Sequence, residues 1–285
     1  MSLSAQVPSL MRRKALRFVL LFGVVSLFAD LTYEGSRSAT GQFLATLGAS
    51  ATVVAVVAGF GELLGYGLRL VSGRLSERTQ EFWPITLFGY FIQMMSVPLL
   101  ALAGSWKIAA FLILTERIGK ATRNPPRDVM LSHAAEQMGY GWGFGVHEAL
   151  DQAGALIGPL VVAFVIAHRG DYRQAFAVLL VPALITLSLV LVARFVYPKP
   201  EELAATSSSF ERTGLSSTFW VYLVAAALVA AGFADFQLIA FHFQKAEHFH
   251  SDWIPVLYAI AMAVSGAGSS SVDCLIGSGS WCWLS

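Results

Sequence analysis

Apolar stretches close to twenty residues long recur along this chain, and nothing else in it restricts the fold so severely. About 20 consecutive apolar residues in a helix cross a bilayer core. Seven stretches qualify: 17–40, 51–72, 84–104, 107–123, 143–167, 173–197 and 219–243; an eighth begins at Trp253. Only 13% of the residues are charged and 56% are hydrophobic, against roughly 25% charged in a soluble domain. Lipid offers no partner to a backbone amide, so runs of this length are expected as helices. The fold class is therefore an all-α polytopic membrane protein. The basic patch Arg12, Arg13, Lys14 and Arg17 ahead of the first run resembles a signal peptide. No small-residue cleavage site closes that run and further spans follow, so it reads as an uncleaved first span.

The segment 198–218, PKPEELAATSSSFERTGLSST, is polar and rich in Ser, Thr and Pro. It divides the chain into a six-helix bundle over 1–197, a linker over 198–218 and the start of a second bundle over 219–264. Lys and Arg in the connections set orientation. With the N-terminus cytoplasmic, the inside holds Arg12, Arg13, Lys14, Arg17, Arg74, Arg78, Arg123, Arg127, Arg194, Lys199 and Arg212. The outside keeps Lys107, Arg169, Arg173 and Lys245, and eleven against four selects N-terminus inside. The net charge of +1 offers no basic surface for nucleic acid. An internal echo supports two related halves: FADLTYE (Phe28–Glu34) in the first span and FADFQLI (Phe233–Ile239) in the seventh.

Charges inside these spans are the candidate functional groups. At about 100° per residue, Asp30, Glu34 and Arg37 fall within roughly 60° of one another and form one polar stripe. A charge at mid-membrane costs ~2.5–3.5 kcal/mol on the insertion scale, so the stripe is expected to face protein or a wet cavity. Asp30 and Glu34 are like charges at i, i+4, and Arg37 is placed to relieve them. Two readings stand: a substrate or proton site, or a self-neutralised cluster at the outer mouth of the helix.

The second span carries Glu62, Tyr66 and Arg69 at i, i+4 and i+7, with Gly59, Gly61, Gly65 and Gly67 expected to form a close helix seam. In the fourth, Glu116 and Lys120 are spaced to pair, and Arg117 points about 100° away. Asn124 precedes Pro125–Pro126, which predicts a helix end near Arg123; Arg123 and Arg127 then belong among cytoplasmic headgroups. The fifth aligns His147, Asp151, Gly154 and Gly158 on one stripe, and Pro159 permits a bend. The seventh offers Asp235 alone. His242, His248 and His250 do not form a standard ligand set. No phosphate-binding glycine loop, nucleophile–base pair or cofactor motif emerges, so neither an enzyme nor a cofactor or metal is expected. Cys274 and Cys282 give no CxxC or disulfide framework.

These residues resemble the major facilitator superfamily of secondary transporters. GRLSER, Gly73 to Arg78, is similar to that family's signature after its second helix, with Gly73, Glu77 and Arg78 in the order glycine, acid, arginine. Glu77 stands where the family usually has Asp. Arg117 resembles the family's arginine in the fourth helix. Gly145 and then GALIGP, with Gly154, Gly158 and Pro159, resembles the antiporter-type signature of the fifth. Val162 and Ala163 replace the glycine pair expected after it. The resemblance implies two six-helix bundles enclosing a cavity lined by helices 1, 4, 7 and 10, which rock to give alternating access. It also implies a small-molecule substrate, coupling to protons through acidic residues, and a cytoplasmic (inner) bacterial membrane.

On that pattern the chain holds the first bundle, a seventh helix and a partial eighth. Trp253–Val264 is too short to span, and 265–285 turns Ser- and Gly-rich without a basic residue. The expectation is a truncated or frameshifted tail, with Trp281 and Trp283 as interface anchors the alternative. A non-transporting fragment, inert or assembled with a complementing second-half bundle, is the competing function.

Overall fold

The structure is a computed structural model and describes residues 3–203, 217–231, 235–246 and 250–278. Among the described residues there are helices and short connections, and no strand. The helices are α1 (Leu3–Thr46), α2 (Ala51–Thr79), α3 (Phe82–Leu99), α4 (Trp106–Ala135), α5 (Tyr140–Arg169), α6 (Tyr172–Val178), α7 (Leu180–Val196), α8 (Ser217–Ala231), α9 (Phe236–Ala246) and α10 (Trp253–Ser278). Five segments are long and apolar enough to cross a membrane: Met11–Thr46, Ala51–Thr79, Phe82–Leu102, Tyr140–Arg169 and Tyr172–Val196. α4 is as long as α5, but Lys107, Glu116, Arg117, Lys120 and Arg123 make it far more polar.

Turns are short and locally encoded. Ser50 opens α2 by accepting from the Val53 amide at 3.3 Å, and Asp171 opens α6 by accepting from Arg173 at 2.9 Å. Gly170 ends α5 in the left-handed region, φ 66°. Gln80 ends α2 in the same region, φ 56°.

Several expected boundaries move. The GRLSER segment is the end of helix α2 rather than a loop; Glu77 and Arg78 lie exposed on its last turns. α4 does not stop at Arg123 but continues through Pro125 and Pro126 to Ala135. Proline at 125 has no N–H for the Ala121 carbonyl four residues back. The Ser72 hydroxyl of α2 supplies that carbonyl with a hydrogen bond at 2.8 Å. The sixth span is bent into α6 and α7 at Leu179, three residues before Pro182, whose ring leaves the Val178 carbonyl without its helical donor. The seventh is not one helix over 219–243: α8 ends at Ala231 and α9 begins at Phe236. Asp235 opens α9, its carboxylate accepting from the Gln237 amide at 3.1 Å. α10 runs unbroken past Val264 to Ser278. Of the tail, 279–285, with Cys282, Trp281 and Trp283, lies outside the described residues.

Helix α1 is the axis of the assembly. It packs along α5 and also meets α4, α7, α9 and α10. Close approach to α5 depends on two glycines. A Cβ on Gly154 would lie 2.1 Å from the Leu27 carbonyl oxygen, and one on Gly158 would lie 2.3 Å from that of Leu31. The glycines of α2 behave differently from expectation: Gly61 nears Arg117, whereas Gly59, Gly65 and Gly67 meet nothing within 4 Å among the described residues. Among those residues they do not form the expected helix seam.

Two apolar clusters sit at opposite ends of α1. One gathers Phe18, Phe22, Val25, Trp83, Met94 and Met130; the other gathers Phe43, Leu44, Val54, Leu100, Ile113 and Phe176. The stripe from Asp30 to Arg37 falls between them. Charges therefore occupy a polar middle layer flanked by a hydrophobic cluster on each side.

Candidate functional site

The middle layer splits into two connected parts. The first is built around Arg37 of α1 and Arg117 of α4. Arg37 donates to Glu62 of α2 at 3.2 Å and to Asp235 at 3.4 Å. Arg117 pairs with the same Glu62 carboxylate oxygen at 2.9 Å and lies 3.8 Å from Glu116. Both guanidinium groups donate to the Tyr33 hydroxyl, Arg37 at 3.3 Å. The Lys120 ammonium stands 3.5 Å from the centre of the Tyr33 ring, a cation–π contact. Arg37 Nε and Arg117 Nη2 have no protein partner. The voids beside them are only ≈ 10 and ≈ 20 Å³, room for about one water each.

Arg37 was expected to neutralise the acids of its own helix. Its ion pairs within 4 Å go to α2 and Asp235, Glu34 is an electrostatic neighbour of Arg37, and Glu34 accepts a short hydrogen bond from Tyr258 of α10. An arginine at i+3 shares the face of Glu34, but its long side chain reaches carboxylates on neighbouring helices that also need a cation. Asp235 and Tyr258 thus tie the segment after the linker onto α1.

The second part is a cavity of ≈ 250 Å³ between α1, α4 and α5. Asp30 and Asp151 line it as electrostatic neighbours. Lys120, Arg123 and Arg127 line it from α4. Arg123 is 1% exposed, so the headgroup position expected for it is wrong. The helix continues past the prolines, and Arg123 turns inward to Gln93 and to the Tyr90 hydroxyl at 3.1 Å. Its Nη2 is 3.9 Å from Asp30. Arg127 is also drawn inside: it pairs with Asp128 at 2.7 Å and donates to Ser26 at 3.4 Å. Ser26 in turn contacts His147 Nε2 at 3.3 Å. His147 Nδ1 and Asn124 Oδ1 are buried without a protein partner.

A buried chain links the two parts. Arg123 donates to Gln93, Gln93 donates to Glu116 at 3.0 Å, and Glu116 faces Arg117. Gly89 and Gly119 bring α3 and α4 together there: a Cβ on Gly119 would lie 2.5 Å from the Gln93 amide nitrogen.

Of the expected site residues, Arg37, Glu62, Arg117 and Asp235 converge, and Asp30 and Asp151 converge next to them. Glu34 joins through Tyr258. Gly154 and Gly158 are packing residues of the α1–α5 contact, with Pro159 buried beside them. Gly73 sits 3.5 Å from the Pro125 ring by its would-be Cβ. Glu77 and Arg78 stay apart from the site, with no ion pair among the described residues. Glu116 and Lys120 are electrostatic neighbours, but the hydrogen bond to Glu116 comes from Gln93 and Lys120 stands over the Tyr33 ring. Tyr33, Gln93, Arg123, Arg127 and Tyr258 were not foreseen as part of it. A lone amide at Gln93 in an apolar span was the available signal. His248 lies outside the described residues, and His250 contacts Asp252 at 2.7 Å. No cluster of three or more metal-ligating side chains occurs among the described residues.

Similar proteins place this architecture. A protein of Mycobacterium tuberculosis strain H37Rv is 45% identical over 256 residues, covering 87% of this chain and 63% of its own length. The chain thus spans less than two thirds of such relatives. An MFS-type transporter of Methanocaldococcus jannaschii is 28% identical over 189 residues, 66% of this chain and 46% of that protein. Among solved structures, a bacterial homologue of the human lysosomal transporter Spinster, inward-facing and unoccupied, aligns with a TM-score of 0.65 at 13% identity, over 95% of this chain and 65% of that one. Tetrameric PepTSo2 aligns at 0.59 and 15%, over 95% of this chain and 56% of that one. At such identities these two share the fold. The sequence pattern of the Major Facilitator Superfamily matches residues 22–279, and the chain belongs to that family of membrane transport proteins.

Proposed function

We propose that the chain takes part in secondary active transport of a small molecule by alternating access, coupled to protons. One observation carries the reading: a buried charged layer joins the cavity beside Asp30 to the Arg37–Asp235 contact with the segment after the linker. In it Asp30 and Asp151 exchange the proton, while Arg37, Glu62, Arg117, Glu34 and Asp235 hold the two bundles together in one of the access states. Antiport, an inner bacterial membrane and a cytoplasmic N-terminus belong to the same proposal. α8 touches no other described element and exposes Trp220, Val221, Val224 and Leu228. Lipid and a complementing second-half bundle are the partners proposed for that face.

The test uses membrane vesicles carrying the chain, alone and co-produced with a second six-helix bundle. Accumulation of a labelled extract of small metabolites is expected to collapse with an uncoupler. Asp30→Asn is expected to abolish it at an equal amount of inserted protein. Unchanged accumulation in that variant would remove Asp30 from the mechanism.

A further inference from the structure

We infer that the cavity beside Asp30 binds a small zwitterion, a molecule carrying one ammonium and one carboxylate. The inference rests on the transport reading and adds to it that the substrate shares the cavity of the proton-exchanging Asp30 and Asp151. Its cations Lys120, Arg123 and Arg127 come from α4, together with the acid Asp128, whereas the acids Asp30, Glu148 and Asp151 come from α1 and α5. Arg127 is already paired with Asp128. What remains is a basic pole, Lys120 and Arg123, facing an acidic pole, Asp30, Asp151 and Glu148, the last accepting from the Gln152 amide at 2.8 Å.

The poles attract each other, with Lys120 and Arg123 electrostatic neighbours of Asp30, yet no hydrogen bond joins them among the described residues. Arg123 spends its hydrogen bonds on the neutral partners Gln93 and Tyr90 and stays 3.9 Å from Asp30. Lys120 is set against an aromatic ring. Burying charges without close partners is expensive, and a ligand with both signs supplies both partners at once. A ligand with one sign leaves the opposite pole unmatched and adds a net charge to the layer.

Two further atoms point the same way. His147 Nδ1 and Asn124 Oδ1 are buried, unpartnered and on the cavity wall, and His147 is only 5% exposed. Buried polar atoms of this kind are costly unless a partner arrives. Size narrows the class. A cavity of ≈ 250 Å³ lies below the range of about 300–1,000 Å³ for drug-sized ligands. It suits a single amino acid better than a peptide.

The test is thermal unfolding of the purified full chain in detergent with a panel of α-, β- and γ-amino acids. Each is compared with its amide, which keeps only the ammonium, and with its deamino acid, which keeps only the carboxylate. At least one amino acid is expected to raise the melting temperature, with half-saturation at tenfold or lower concentration than either analogue. Asp151→Asn is expected to weaken it tenfold or more without affecting the deamino acid, and Lys120→Met to weaken it without affecting the amide. Equal binding of the amide, equal binding of the deamino acid, or no binding across the panel would each overturn the assignment. Binding without flux leaves this inference standing and removes the transport reading; uncoupler-sensitive flux without zwitterion preference does the reverse.

Discussion

The Arg37 network and the Asp30 cavity use the same kinds of side chain at neighbouring levels of α1 and α4, yet they are built to opposite ends. Around Arg37 the polar groups reach one another: Glu62 serves both Arg37 and Arg117, Asp235 pairs with Arg37, and the Tyr258 hydroxyl donates to Glu34. Space there is limited to voids of ≈ 10 and ≈ 20 Å³. Around Asp30, Arg127 pairs with its neighbour Asp128, but Arg123 stands at the limit of ion pairing with Asp30, and the charges surround ≈ 250 Å³. The lesson is that composition does not separate a fastening from a binding site. The separation comes from whether the groups meet or leave room.

The comparison is broken most severely at the shared α1–α5 contact. Gly158→Leu places a Cβ 2.3 Å from the Leu31 carbonyl and 2.8 Å from the Gly35 amide nitrogen, forcing the helices apart. The expected cost is about 3 kcal/mol, or roughly 6–12 °C in melting temperature. Normal thermal stability in that variant would show that α1 and α5 do not pack as closely as described, and both parts of the layer would need rebuilding.

A smaller effect sharpens the account of the fastening. Arg117→Met leaves Glu62 and Glu116 short of a cation and is expected to cost about 2 kcal/mol, less than a fully buried pair because Glu62 is one-third exposed. Adding Glu62→Gln is expected to recover about 1 kcal/mol of that loss. Strict additivity in this double-mutant cycle, read by thermal unfolding, would mean that the two side chains act independently.

The smallest effect concerns what carries α4 into the cavity. Ser72→Ala leaves the Ala121 carbonyl without its donor and is expected to cost about 1 kcal/mol. With Pro125→Ala, the restored backbone N–H takes over that carbonyl, and the Ser72 effect is expected to vanish. A Ser72 effect that persists would remove the hydroxyl from the continuation of α4.

The stripe Asp30–Glu34–Arg37 was legible because helical periodicity puts these residues on one face whatever packs against them. Membership of Glu62, Arg117, Asp151 and Asp235 followed from the cost of isolated charges in apolar helices. Pairing was not legible. Arg37 was expected to serve its own helix, and Arg123 and Arg127 were expected among headgroups. Each error has one cause: the partner comes from another helix. Ser72 lies 53 residues before Pro125 in sequence, and no local rule for proline anticipates its hydroxyl. Gln93 and Tyr258 were hidden by apolar neighbours, which gave no sign that their polar atoms turn inward.

By itself the sequence determined the helical, membrane-embedded class, the family, most span positions and the set of charges that require burial against protein. These follow from hydropathy and period, which act over one or two turns. The tertiary structure alone decided which charges meet, where α4 ends, that the glycines of α5 rather than those of α2 set a close approach, and where space remains. Those outcomes depend on the relative placement of helices far apart in sequence. A guanidinium takes the best carboxylate within its reach, and that reach is defined only after the helices have packed.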